Sequence, residues 1–313
     1  MKTIAVALGG GGTRGFTHIG VLRALERAGF SIQAIAGTSA GGLVGALYAA
    51  GYSPSDMEQI IRNVDQSRLF KRNSHEGPAL LGLHGITEIL LPLLGSRTFD
   101  QLKIRFACTA VDVITAQEYV LSQGTVLDAV LATIAVPGIF PPREYGEALL
   151  VDGGVLNPVP VSVARWLAPT LPVIAVCLSA PPEKWKHIPN FELPPINPLA
   201  TPLLKTFQQL RIGKAFHIFL KSMDTTSRML AELRLQIDQP DVLIRPDVEH
   251  FSFLDRVDSD ELIRIGEITT SAAIPQIEQC LAPIQRARRR IRLALGIANT
   301  NQRITNNITV KLR

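Results

Sequence analysis

Two glycine-dense turns, G-G-G-G-T-R-G at residues 9–15 and G-T-S-A-G-G at 37–42, each stand between a strand-length apolar run and a stretch of helical periodicity. A chain that repeats strand, tight turn and helix folds into parallel strands joined by helical crossovers. Both turns then leave the carboxyl ends of their strands, the edge at which open α/β sheets hold their sites. The same alternation continues downstream. Strands are expected at 3–8, 31–36, 104–111, 117–121, 148–151, 172–178 and 242–244. Helices are expected at 15–28, at 40–50, from Ser53-Pro54, at 126–133, at about 203–236, and from about Ser259, with Gly29 and Gly51 stopping the first two. The proline-rich stretch 181–202 reads as a surface excursion or linker. The fold class is therefore α/β, a mostly parallel central sheet flanked by helices. Residues 1–200 are its core, 201–280 a helical and strand completion of the same domain, and 281–313 a basic amphipathic tail.

At 313 residues and 46% hydrophobic, the chain can bury a large core. Only 19% of it is charged and its mean hydropathy is +0.20, which leaves apolar surface for a ligand or a membrane. Cys108, Cys177 and Cys280 are odd in number and widely spaced, so they read as buried thiols in a reducing compartment, without metal spacing. The opening M-K-T-I-A-V-A-L is too short for a signal-peptide core, and 78–95, the most apolar stretch, is broken by His84, Glu88 and Pro92. The expectation is a cytoplasmic protein with no spanning segment.

Gly10, Gly12 and Gly15 satisfy G-x-G-x-x-G between a strand and a helix, the setting of a dinucleotide fingerprint. The acidic residue that should end the next strand is absent; that strand runs into G-T-S-A-G. Gly37-Thr38-Ser39-Ala40-Gly41 fits the nucleophile elbow, in which small neighbours let a serine Oγ stand clear at a helix N-terminus, although Ser39 also reads as a helix N-cap. If the two turns share a sheet edge, the glycine loop offers bare N–H groups to a developing oxyanion, and Arg14 adds charge or orients the loop. None of the six histidines has a catalytic setting. Asp152, which ends an apolar strand before Gly153 and Gly154, is the alternative base, or else an Asx-type turn.

G-G-G-x-R-G (10–15), G-T-S-A-G (37–41), A-x-P-G-I-F-P-P (135–142) and D-G-G (152–154) together resemble patatin-like phospholipases, over roughly residues 3–180. The resemblance implies a patatin-like, open three-layer α/β/α fold and a serine hydrolase of lipid carboxylic esters with a Ser-Asp dyad. Carried over by motif position, Ser39 is the nucleophile and Asp152 the general base. Gly10, Gly11, Gly12 and Arg14 form the oxyanion loop, Gly37 and Gly41 the elbow, and Gly153 and Gly154 the dyad turn. Thr133 departs from the serine that many members carry there. The competing reading is a nucleotide-binding or regulatory module that uses the glycine loop without hydrolysis.

No metal and no cofactor is expected, because no Cys/His/carboxylate cluster has ligand spacing. The expected partner is a lipid or acyl ester, with 79–94 and 137–142 as candidate acyl-groove or lid segments. The arginines from Arg286 to Arg292, with Ile291, Leu293 and Leu295, make a basic amphipathic helix suited to peripheral contact with an anionic membrane. Interleaved aromatics are absent there, so no nucleic acid is expected, and the sequence leaves the oligomeric state open.

Overall fold

Along β1 (Lys2–Leu8) the side chains alternate in size, Ile4, Val6 and Leu8 against Ala5 and Ala7, and all five are buried. A strand points successive residues to opposite faces, so this alternation gives the sheet one face of branched side chains and one of methyls. The computed structural model, which describes residues 2–65, 68–73, 75–185, 211–251, 253, 257–294 and 311–312, shows both faces covered. The elements that follow are α1 (Thr17–Arg27), β2 (Phe30–Thr38), α2 (Ala40–Ala50), α3 (Pro54–Asn63) and α4 (His84–Leu94). Next come β3 (Arg105–Asp112), β4 (Gln117–Leu121), α5 (Val126–Thr133), β5 (Arg143–Tyr145), β6 (Ala148–Asp152) and α6 (Val161–Leu167). The chain continues through β7 (Val173–Val176), α7 (Arg211–Asp238), β8 (Val242–Ile244), α8 (Ser259–Cys280), α9 (Pro283–Ala294) and β9 (Lys311–Leu312).

The sheet runs β5-β6-β3-β2-β1-β7-β8, with β4 on β3 and β9 beyond it. β3-β2-β1-β7-β8 are parallel, and the pairs β3-β4, β3-β6 and β5-β6 are antiparallel. On the branched face, Ile4, Val6, Leu8, Ile35 and Phe106 pack in one core with side chains of α1, α2, α5 and α8. On the methyl face, Ala5, Ala7, Ala34, Ala36, Ala107 and Ala175 pack with Val161 and Ala164 of α6 and Ala231 and Leu235 of α7.

Two strands share one edge of β3. β4 occupies the other edge over Cys108–Asp112, so β2, paired with residues 105–109, and β6, paired with 110–112, follow each other along the same side. β2 stops at Thr38, opposite Thr109; β6 ends at Asp152, opposite Ala110. The end of one strand is thus set against the end of the other by a single step of register.

β2 runs two residues past its expected end and delivers the chain straight into Ser39. α4 was not expected, since Pro92 lies inside it; the break falls in the last turn of a helix whose Leu90 and Leu94 are buried. α6 was hidden by the strand-like V-P-V-S-V, whose valines Val161 and Val163 are buried by the methyl face. Most of 181–202, all of 203–210, His187 and 295–310 lie outside the described residues. The three cysteines are unpaired, with Cys108 and Cys177 buried.

Candidate active site

Ser39 opens α2 from the N-cap position, yet its side chain makes no capping hydrogen bond. Its backbone sits at φ 54°, a conformation that costs a non-glycine residue on the order of 1–3 kcal/mol. Packing pins the turn. A Cβ added at Gly37 would stand 2.5 Å from the Gly41 carbonyl oxygen, and one at Gly41 would stand 2.2 Å from that of Leu8. The small residues around the serine are therefore demanded by the contact of α2 with the ends of β1 and β2. The Ser39 N–H donates to Thr133 Oγ1 at 2.9 Å, and the Ser39 carbonyl accepts the first helical bond, from Leu43. Thr133, a departure from the family pattern in sequence, is thus a support of the elbow.

Asp152 stands one β3 position further on. Its backbone N–H donates to the Ala135 carbonyl at 2.9 Å, and its Oδ1 accepts from the Gly154 N–H at 2.7 Å. The Asx-type turn is real, and the Ser39 hydroxyl is near enough to the same carboxyl to pull it downward. Gly153 has no room for a side chain, since a Cβ there would meet Thr109 Oγ1 at 2.1 Å. Burial penalises the carboxylate and outweighs both donors, so Asp152 is pushed up to about 7. That places it near the pH at which a base both accepts and releases protons.

Beneath the pair runs a buried polar network. Thr38 Oγ1 meets Thr109 Oγ1 at 2.7 Å and donates to the Asn157 carbonyl at 2.8 Å. Asn157 Nδ2 donates to Glu118, whose other oxygen pairs with Arg234 of α7 at 3.0 Å. Arg234 Nε also donates to the Leu156 carbonyl. The turn after Asp152 is thereby tied to β2, β4 and α7 at once.

In the glycine loop, Arg14 is buried and its Nε donates to the Gly11 carbonyl at 3.1 Å. That peptide is trans, so pulling its carbonyl toward Arg14 turns the Gly12 N–H the other way. The N–H groups of Gly11 and Gly12 meet no acceptor among the described residues. Gly10 corrects the expected oxyanion set. Its N–H is taken by the Pro158 carbonyl at 2.9 Å, and its bare Cα instead lets Ser39 come close, an added Cβ lying 3.3 Å from that of Ser39. Burial holds the Arg14 guanidinium below its usual range, with Asp224 pulling it back up. Its two Nη groups have no acceptor among the described residues.

Two cavities meet at Ser39. One, a cleft open to solvent, is lined by Gly10, Gly11, Arg14, Asp152, Ser179 and a wall of α7 that includes Lys221, Asp224 and Arg228. Arg228 is buried and bonded to Asp224 at 2.8 Å and to Glu249 at 2.5 Å. The other is bounded almost wholly by hydrocarbon: Leu43 and Leu47 of α2, Met57 and Ile61 of α3, Ile86 and Leu90 of α4. Val136 and Phe253 line both, and the Phe253 carbonyl holds the Thr13 N–H at 3.0 Å. The segments 79–94 and 137–142 thus contribute side chains to these walls.

Among the described residues no histidine lines either cavity. His18 is fully buried with Nε2 on the Gly9 carbonyl at 2.8 Å, and burial drops it to about 4. Sequence reading marked Thr133 only as a departure, without its role, and missed Arg228 and the α7 wall, since α7 carries no motif.

A family model described as patatin-like phospholipase matches residues 6–165, half of the chain. An uncharacterized NTE family protein of Mycobacterium bovis is 33% identical over 161 residues, 51% of this chain and 44% of the relative. Lysophospholipase NTE1 of Debaryomyces hansenii is 31% identical over 171 residues, 51% of this chain and 11% of that protein. The chain spans less than half the length of these curated relatives. Among solved structures, VipD from Legionella pneumophila superposes with a TM-score of 0.54 at 11% identity, covering 89% of this chain and 67% of that one, a likeness of fold alone.

Proposed function

The chain belongs to the patatin-like phospholipase family, and on that premise we propose that it hydrolyses lipid carboxylic esters through an acyl-enzyme on Ser39, with Asp152 as the base. The observation that carries this reading is the Ser39 hydroxyl set against a buried carboxyl pushed up to about 7, at the meeting point of two cavities of opposite character. Ser39 Oγ attacks the ester carbonyl while its proton passes to Asp152. The Gly11 and Gly12 N–H groups, joined by the positive end of α2, hold the oxygen that becomes negative. As the carbon–oxygen bond to the leaving alcohol breaks, Asp152 returns the proton to that alcohol. Water then attacks the acyl-serine, its proton passes to Asp152, and Ser39 departs with that proton as the fatty acid is released.

The hydrocarbon cavity suits the acyl chain, and the polar cleft suits the leaving alcohol. A buried cation with two open donors is matched by a phosphate. Arg14 at this cleft, and the name lysophospholipase carried by the yeast relative, favour single-chain phospholipids as substrates. Contact of α9 with an anionic membrane is proposed in narrowed form. Arg289 is committed to Asp241 at 3.0 Å and to the Cys280 carbonyl, which leaves Arg286, Arg288, Arg290 and Arg292, whose side chains lie outside the described residues.

The test is a fluorophosphonate label followed by peptide mapping. Labelling of Ser39, abolished in Ser39→Ala together with hydrolysis of short esters, is the expected result; full activity in that variant ends the reading.

A further inference from the structure

α7 is inverted. Helices at a protein surface ordinarily turn their charges outward and their apolar stripe inward. Here Arg228, Arg234 and Asp238 are buried and Asp224 faces the polar cleft. The outward stripe is Ile218, Ser222, Thr225, Met229, Leu233 and Gln236, spaced by three and four residues, with Phe219 beside it. Ile218 is 65% exposed, Met229 49% and Leu233 47%. From Lys214 to Gln236 the exposed residues include that one lysine and no carboxylate. At 1.5 Å per residue the face extends about 33 Å.

We propose that this outer face of α7 is the surface by which the protein lies on a phospholipid bilayer. Three observations select a lipid surface. The face is continuous with the site, because Thr226 is both exposed and part of the cleft wall, so a lipid leaving the bilayer beside α7 enters the cleft over its rim. The face is uncharged except for a cation, which is compatible with neutral and anionic headgroups alike. Its apolar members are spaced along a single line, as in helices that lie in the plane of an interface, and among the described residues no helix is long and apolar enough to cross one. The substrate class assumed is that of the proposed function, so the inference rests on that reading.

The experiment uses the whole chain and vesicles of phosphatidylcholine with phosphatidylglycerol, measuring co-sedimentation at low and high salt. Wild type should bind, with a part of the binding surviving high salt. Ile218→Asp combined with Met229→Asp should weaken the salt-resistant part about tenfold or more, since each loses an apolar side chain from the contact. Turnover of vesicular lipid should fall in parallel while turnover of a soluble short-chain ester holds. Ile218→Ser with Met229→Ser, which adds no charge, should move in the same direction. Unchanged vesicle binding in these variants overturns the proposal. So does loss of soluble-ester turnover, which makes the stripe part of the fold, or a wild-type dimer that the variants dissolve, which makes its occupant a second copy. Ser39→Ala should bind vesicles as wild type does; wild-type protein that docks yet hydrolyses no vesicular lipid would count against the proposed activity and leave the surface standing.

Discussion

The two cavities at Ser39 differ in what their walls ask of a ligand. The wall behind Arg14 carries the buried Arg228, held by Asp224 and Glu249, and it rewards a charge placed at one point. The wall along α2, α3 and α4 has almost no polar atom, and it rewards length and bulk without fixing position. An ester with a polar head and a hydrocarbon tail spans such a pair only with its carbonyl near the serine. Under the proposed function, orientation of substrate is a property of the contrast between the walls.

The contrast is broken outright by removing what stands between the walls. Asp152→Asn should cost about 10²- to 10⁴-fold in kcat/KM on every ester, as for loss of a general base, whereas His217→Ala or His250→Ala should stay within about tenfold. A histidine variant as inactive as Asp152→Asn would replace the dyad with a triad. Next in size, Arg14→Met should lower turnover of a lysophospholipid about 10- to 100-fold more than that of a neutral monoacyl ester. An equal loss on both would confine Arg14 to holding Gly11. On the other wall, Ile86→Trp should shift preference toward shorter acyl chains by about tenfold and leave short soluble esters alone. Loss of activity on all chain lengths would show that this cavity is not where the chain lies.

Smaller effects sharpen the account of the serine itself. Thr133→Val keeps the shape and removes the acceptor for the Ser39 N–H, at a cost of about 1–3 kcal/mol in stability, with Thr133→Ser restoring most of it. In pH, the hydrolysis rate should rise as Asp152 loses its proton near 7. Stability moves the other way. The folded carboxyl keeps its proton up to about 7 while the unfolded one releases it near 4, so wild type loses stability as pH rises through that window, by up to a few kcal/mol. Thermal unfolding of Asp152→Asn should lack this slope and exceed wild type at pH 8.

How much of this was legible in the sequence follows from where the information lies. Ser39, Asp152 and the glycine loop were legible because crowded turns at strand ends admit few residue types, and the chain states them locally. α7 was legible as a helix, expected at about 203–236, but not in its faces, because its residues answer to partners far away: Arg234 is buried by Glu118 and the Leu156 carbonyl, while Ile218, Met229 and Leu233 point outward. Periodicity alone cannot rank two faces that both carry apolar side chains. The Gly10 donor was misassigned for a related reason, since its acceptor, the Pro158 carbonyl, comes from a loop distant in sequence. α4 was obscured by a proline in its last turn, and α6 by valines that the methyl face buries.

The shared edge of β3 bears on how such a chain tolerates change in length. Asp152 reaches Ser39 because both strand ends are indexed on Thr109 and Ala110, and the number of residues between them along the chain does not enter. Insertions at the exposed turns near Val113–Ala116 or Gln123–Gly124 should leave Ser39 and Asp152 in place. A one-residue deletion between Arg105 and Asp112 should instead slide one strand end past the other and turn every following side chain to the opposite face. The loops of this protein are free to record divergence, while eight residues of one central strand act as its ruler.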